Sequence, residues 1–194
     1  MGTSLRPPGR PRSQKANDAI LTAALELLAE RKNVADISVE AVAARAGVGK
    51  ATIYRRWTSK EELLTDAVAT LRPPLPGVNR ESVRDDLVEL IAQVCGEMDS
   101  PLDRAISALM MSETHPEIVS RIKRSVFAPR NEVLYEVLRR GVASGELRSD
   151  LDPQTVLNLL VGGALVYRRS GSGGPARACA ELLVDTVLTG VQSS

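Results

Sequence analysis

Residues 38–64 read SVEAVAARAGVGKATIYRRWTSKEELL, two short helical periods on either side of a glycine turn. Val39, Val42, Ala43 and Ala46 fall three or four apart on one face, with Ser38 placed to cap the first helix. Gly47 ends that helix in the left-handed conformation glycine adopts cheaply, and Gly47-Val48-Gly49 is the turn. The second helix runs from Lys50 to about Trp57. Ile53 and Trp57, four apart, face inward and hold it at a fixed angle, while Lys50, Thr52, Tyr54, Arg55 and Arg56 turn basic and hydroxyl groups outward. Such groups suit phosphate oxygens and base edges. Ser59 then opens a further helix, with Glu62 three residues on as in a capping box. The layout is a helix-turn-helix.

Outward from this stretch the apolar residues keep helical spacing and show no sustained alternation, so the chain is expected to be all-α with about nine helices. Upstream, Ile20, Ala23, Ala24, Leu27 and Leu28 make one stripe of a first helix from Lys15 to about Arg31. Residues 1–14, arginines among Pro7, Pro8, Gly9 and Pro11, bury almost nothing and read as a flexible basic arm. Downstream, the fourth helix ends before Pro73-Pro74, and the proline-rich Leu71 to Asn79 marks a boundary. Helix five carries Val83 to Met98, helix six starts at Ser100-Pro101 and helix seven follows His115-Pro116 with Pro129 kinking or splitting it. Asp152-Pro153 starts helix eight, and Ala176 to Val191 forms helix nine. The expected organisation is an arm at 1–14, a three-helix DNA-binding domain with its linking helix four at 15–72, and a larger helical domain at 73–194.

The 194 residues are 43% hydrophobic and 25% charged with a net charge of +1, so no global field draws the molecule onto nucleic acid or lipid. The charge is local. Residues 1–60 hold eleven basic against five acidic side chains, and the remainder fourteen against nineteen. Cys95 and Cys179 have neither metal-ligand nor disulfide-framework spacing and suit a reducing cytoplasm; the single histidine, His115, cannot anchor a metal cluster or a triad. No apolar run is long enough for a bilayer and no secretory signal is present. Arginine outnumbers lysine twenty to five, the imprint of a GC-rich, bacterial genome.

The run Ser38 to Leu63 resembles the DNA-binding signature of the tetracycline-repressor (TetR) family of regulators over about twenty-five positions, with small, apolar and polar types matching in order. The family commonly has serine where this chain has Gly49 and phenylalanine where it has Trp57; the glycine weakens a helix cap by only a few tenths of a kcal/mol. The resemblance implies that Tyr54 hydrogen-bonds a phosphate, that Lys60 pairs with another beside helix four, and that Lys50 and Thr52 are exposed on the recognition helix. Ser38, Arg55 and Arg56 complete the expected contact surface. In the arm, Arg10 and Arg12 of Gly9-Arg10-Pro11-Arg12 suit a narrow A·T-rich minor groove, or else belong to a solubilising tail.

The same resemblance makes the C-terminal half a ligand-binding and dimerisation domain. Helix eight, Val156 to Tyr167, is apolar nearly all round, so one face is expected on the core and another on a second subunit, with Leu160, Gly162, Gly163, Tyr167, Leu183 and Val187 at the interface. Among helices five to eight, Cys95, Met98, Met110, Met111, Phe127, Tyr135 and Tyr167 are the pliable or aromatic residues from which a pocket could be lined. The resulting expectation is a cytoplasmic homodimeric repressor that binds a palindromic double-stranded operator and is released by a small hydrophobic effector, with no cofactor and no membrane partner. A structural DNA-binding protein without a ligand is the alternative. An all-α enzyme is disfavoured, since no metal motif, phosphate loop or activated nucleophile is visible.

Overall fold

In the computed structural model, which describes residues 12–31, 34–78, 82–171 and 174–191, nine helices and no β-strand account for the ordered elements among the described residues. They are α1 (Arg12–Glu30), a 3₁₀ turn (Val34–Asp36), α2 (Val39–Ala46), α3 (Lys50–Tyr54), α4 (Lys60–Leu71), α5 (Val83–Gly96), α6 (Pro101–Met110), α7, α8 (Pro153–Arg169) and α9 (Ala176–Val191). The rod α7 consists of Pro116–Ile122, a π-helical segment Lys123–Phe127 and Ala128–Ser144. Most of the basic arm, Arg10 included, lies outside the described residues. Arg12 is already the first residue of α1, three residues ahead of the expected start.

The ends of the helices follow local chemistry. The Oγ atoms of Ser38, Ser59, Ser82 and Ser100 each accept the amide three residues on, and Asp152 does the same for Thr155. At Ser100 the reciprocal half of the capping box is also made, by Asp103. At Ser59 it is not: Glu62 turns its carboxylate to the amide and hydroxyl of Thr58, both at 2.7 Å. Helix α3 stops at Tyr54, short of the expected Trp57, and α5 stops at Gly96, short of Met98. Pro129 is marked one turn early by a widened turn, with the helix continuing through it. It cannot donate to the carbonyl of Ser125, and the preceding turn widens so that the amide of Ala128 reaches the carbonyl of Lys123.

Packing gathers these elements around two apolar clusters. The first joins α1 to α4 with Ile106 and Leu109 of α6 and Ile118, Val119, Ile122 and Val126 of α7. The second joins α5, the later part of α7, α8 and α9, with α5 lying along α9. The head core therefore extends beyond residue 72, because α6 covers α1 and the start of α7 covers α4. Gly141, buried inside α7, has no room for a side chain: an added Cβ would lie 2.7 Å from Leu147 Cδ1 and 2.9 Å from Val83 Cγ2.

Gly47 sits at φ +65°, with its amide returned to the carbonyls of Ala43 and Ala44 and open space where a Cβ would stand. The cost of a side chain there is purely conformational. Gly47→Ala is expected to lower unfolding free energy by about 1 kcal/mol in urea titrations, with Gly47→Asn restoring most of it, since asparagine visits this region.

Candidate nucleic-acid interface and ligand cavity

A five-residue helix has no independent stability in water, and the Gly49 cap of α3 offers no side-chain bond. Tertiary contacts hold it. Ile53 and Trp57 are buried at 1% and 4% exposure, and Trp57 Nε1 donates to Asp66 Oδ2 of α4 at 2.8 Å. Asp66 escaped the sequence reading because, nine residues from Trp57 and on a polar face, nothing in its spacing marks it. On the other side, Arg45 ties α2 to α1 through Glu26 at 3.1 Å and Glu30 at 2.8 Å. Its hydrogen bond holds the Glu30 carboxyl below the usual carboxylate range.

The expected DNA-contacting side chains stand in different states. Tyr54, 54% exposed, and Arg55 point outward from α3, while Thr52 and Arg56 are half-buried. Lys50 is exposed but donates to Glu40 Oε1 at 2.8 Å; that hydrogen bond raises the lysine pKa and lowers the glutamate's. Ser38 spends its oxygen on the amide of Ala41 at 3.1 Å, which leaves the hydroxyl proton to donate. Lys60, half-buried at the start of α4, folds back to the carbonyl of Val34 at 3.3 Å. That bond uses one of the three ammonium donors and leaves two for another acceptor.

A cavity of about 550 Å³ opens between the end of α4 and helices α5 to α8. Met98, Met110, Met111 and Phe127 line it, joined by Leu157, Val161 and Leu165 of α8. Cys95, Tyr135 and Tyr167 do not, which corrects the expectation for those three. Cys95 turns the other way, into the α5–α9 seam, with its Sγ 3.3 Å from that of Cys179; burial pushes its thiol up to about 12. Tyr135 sends its hydroxyl to Gln154 Oε1 at 2.6 Å, and Tyr167 packs against the second apolar cluster. The polar wall was not foreseen, since arginine in a sequence reads as solvated. Arg72 and Arg130, 9% and 5% exposed, line the cavity with Glu97. Arg130 bonds Glu97 at 2.7 Å and the carbonyl of Pro73, and Arg72 pairs with Asp103 at 2.7 Å and Glu97 at 3.6 Å. Among the described residues no group of His, Cys, Asp and Glu could hold a metal ion.

The apolar face of α8 is rotated from the expected one. Leu160 is 1% exposed and already covered within the protomer, and Leu183 packs on Gly163 of its own chain, where an added Cβ would meet it at 2.8 Å. Tyr167 and Val187 are half-buried in the same cluster. Gly162 remains exposed, flanked on its face by Leu159 and Val166, 55% and 68% exposed, with Leu182 of α9 at 52%.

Residues 20–67 match the family described as "Bacterial regulatory proteins, tetR family", and residues 79–187 match "Tetracyclin repressor-like, C-terminal domain". An uncharacterized HTH-type transcriptional regulator of Bacillus subtilis, YdeS, is 31% identical over 82% of this chain and 81% of its own. The DNA-binding transcriptional repressor TetR of Mycobacteroides abscessus is 30% identical over 91% of this chain and 94% of its own. Among solved structures, the transcriptional regulator FadR of Bacillus subtilis in complex with stearoyl-CoA superposes with a TM-score of 0.71 at 17% identity, over 90% of this chain and 99% of that one.

Two substitutions probe the interface. Trp57→Phe keeps a buried aromatic ring but removes the bond to Asp66, and is expected to lower stability by about 1 kcal/mol with a matching loss in thermal midpoint. Glu40→Gln removes a negative charge from the exposed face and frees Lys50, so affinity for any DNA duplex should rise several-fold at low salt in anisotropy titrations.

Proposed function

As the chain belongs to the tetracycline-repressor (TetR) family of bacterial regulatory proteins, we propose that it is a homodimeric repressor that binds a palindromic operator and releases it when a small, largely apolar molecule fills the cavity. On this reading residues 15–72 read DNA and 73–194 sense the ligand and pair with a second subunit. It acts in the cytoplasm as a regulator and not as an enzyme. No helix among the described residues is long and apolar enough to cross a membrane.

One observation carries the proposal: the cavity and the head share a wall. Ile106, Met110 and Phe127 line the cavity and also belong to, or pack against, the apolar cluster that holds α1 to α4. A ligand pressing on them displaces the body against which α4 rests, and Trp57 with Asp66 passes that displacement to α3. Two recognition helices must enter successive major grooves about 34–36 Å apart, so a small rotation of each head removes one of them from register. A hundredfold loss of operator affinity corresponds to about 2.7 kcal/mol of coupling, and by linkage the DNA-bound form then binds the ligand a hundredfold less tightly. The exposed apolar side chains of Leu159 and Val166 on α8 and Leu182 on α9 support the dimer, since one chain leaves them in water.

Tyr54→Phe and Lys60→Ala should each weaken binding to all duplexes by about 1 kcal/mol, the lysine change also lowering the salt slope by about one, while Thr52→Ala alters preference among operators. Anisotropy with the promoter region beside the gene, against random duplex, reads all three; an unchanged salt slope for Lys60→Ala contradicts the docking. In sedimentation at micromolar concentration the wild type should run as a dimer and Leu159→Arg as the 20.8 kDa monomer. A monomeric wild type overturns the pairing.

A further inference from the structure

The charge balance inside the cavity specifies more about its ligand than its apolar lining does. Four cations reach the cavity, Arg72, Lys123, Arg124 and Arg130, against the single carboxylate of Glu97. The two buried arginines are already neutralised, Arg130 by Glu97 at 2.7 Å and Arg72 by Asp103 at 2.7 Å. Glu97 is thereby committed to its arginines and presents no free charge to a guest. Lys123 and Arg124 differ. Both are exposed residues of the π-helical segment, and neither has a carboxylate partner among the described residues; Arg124 donates to Ser120 Oγ, and Lys123 uses only its backbone in hydrogen bonds, leaving its ammonium without a partner there. Lys123 is also the only lysine in the sequence beyond Lys60.

Four residues on from Lys123, Phe127 places a ring on the same segment, and Met98, Met110, Leu157 and Val161 supply the rest of an apolar interior. A guest whose body fills that interior and whose anionic end stays near the mouth meets an exposed, unneutralised ammonium, and a charge-assisted contact there is stronger than a neutral one. A cationic amphiphile of the same shape meets the same ammonium and finds no free carboxylate to offset it.

We propose that the cavity takes an amphipathic organic monoanion, an apolar body ending in a carboxylate, with Lys123 as the residue that selects its charge. This rests on the sensing role assigned to the cavity above, but it concerns affinity alone and is tested without DNA.

The test is calorimetric titration of the full-length protein with three probes of one chain length: decanoate, decan-1-ol and decylamine. Decanoate should bind at least tenfold more tightly than the alcohol, a difference of about 1.4 kcal/mol, and the amine most weakly. Lys123→Met should bring decanoate to the level of the alcohol and leave the alcohol unchanged, and Lys123→Arg should retain the preference. Because Lys123 is exposed, neither variant disturbs the core. Equal binding of the three probes, tighter binding of the amine, binding of none of them, or a preference that survives Lys123→Met overturns the proposal. Operator affinity measured in parallel separates the two ideas: Lys123-dependent binding of decanoate with unaltered operator affinity upholds the ligand class and contradicts release.

Discussion

The contact of Trp57 with α4 is the constraint on which the rest of the structure depends. A helix as short as Lys50–Tyr54 exists only because its neighbours impose it. Burial of Ile53 and Trp57 fixes its rotation, and the bond from Trp57 Nε1 to Asp66 fixes its position along α4. Because these contacts tie α3 to α4, a displacement of α4 carries with it the exposed side chains of α3. The recognition surface is in this sense an attachment to α4, and α4 in turn rests on the first half of α7 and on its π-helical segment.

That arrangement explains why a cavity so far along the chain from α3 could govern it. Were the two apolar clusters separated by a solvated joint, occupancy of one would be lost as flexing before it reached the other. Instead Phe127 and Met110 touch both the cavity and the head core, and close-packed side chains transmit small displacements because voids to absorb them are few. The π-helical segment supplies the remaining ingredient. Its widened turn, adjacent to a proline that cannot complete the α-helical ladder, is the least regular part of α7, and it carries the residues that meet the mouth of the cavity.

Much of this was legible in the sequence where local chemistry decides the outcome. Ser38, Gly47, Ser59, Ser100 and Asp152 mark helix ends through caps and turns that depend on a few adjacent residues, and each ends its helix as read, save that Glu62 bonds Thr58 instead of closing the box on Ser59. Outcomes set by tertiary packing were less legible. Leu160 and Leu159 are neighbours in a helix apolar nearly all round, and periodicity alone could not say which one the protomer covers; the second apolar cluster takes in the first. Cys95 was placed toward the pocket by its helix, yet its face of α5 meets Cys179. Arg72, Glu97, Asp103 and Arg130 left no signal at all, since an ion network drawn from the residues that follow α4 and α5 and from α6 and α7 has no characteristic spacing in the chain.

The central claim, that filling the cavity repositions the recognition helices, is tested most directly by a distance between them. Spin labels at Arg55→Cys, exposed on each head, in a background where Cys95 and Cys179 are serine, report the separation across the dimer by pulsed electron resonance. With decanoate at saturation, the distribution should move by several Å from that of the ligand-free dimer. Superimposable distributions with the cavity demonstrably occupied would contradict the account.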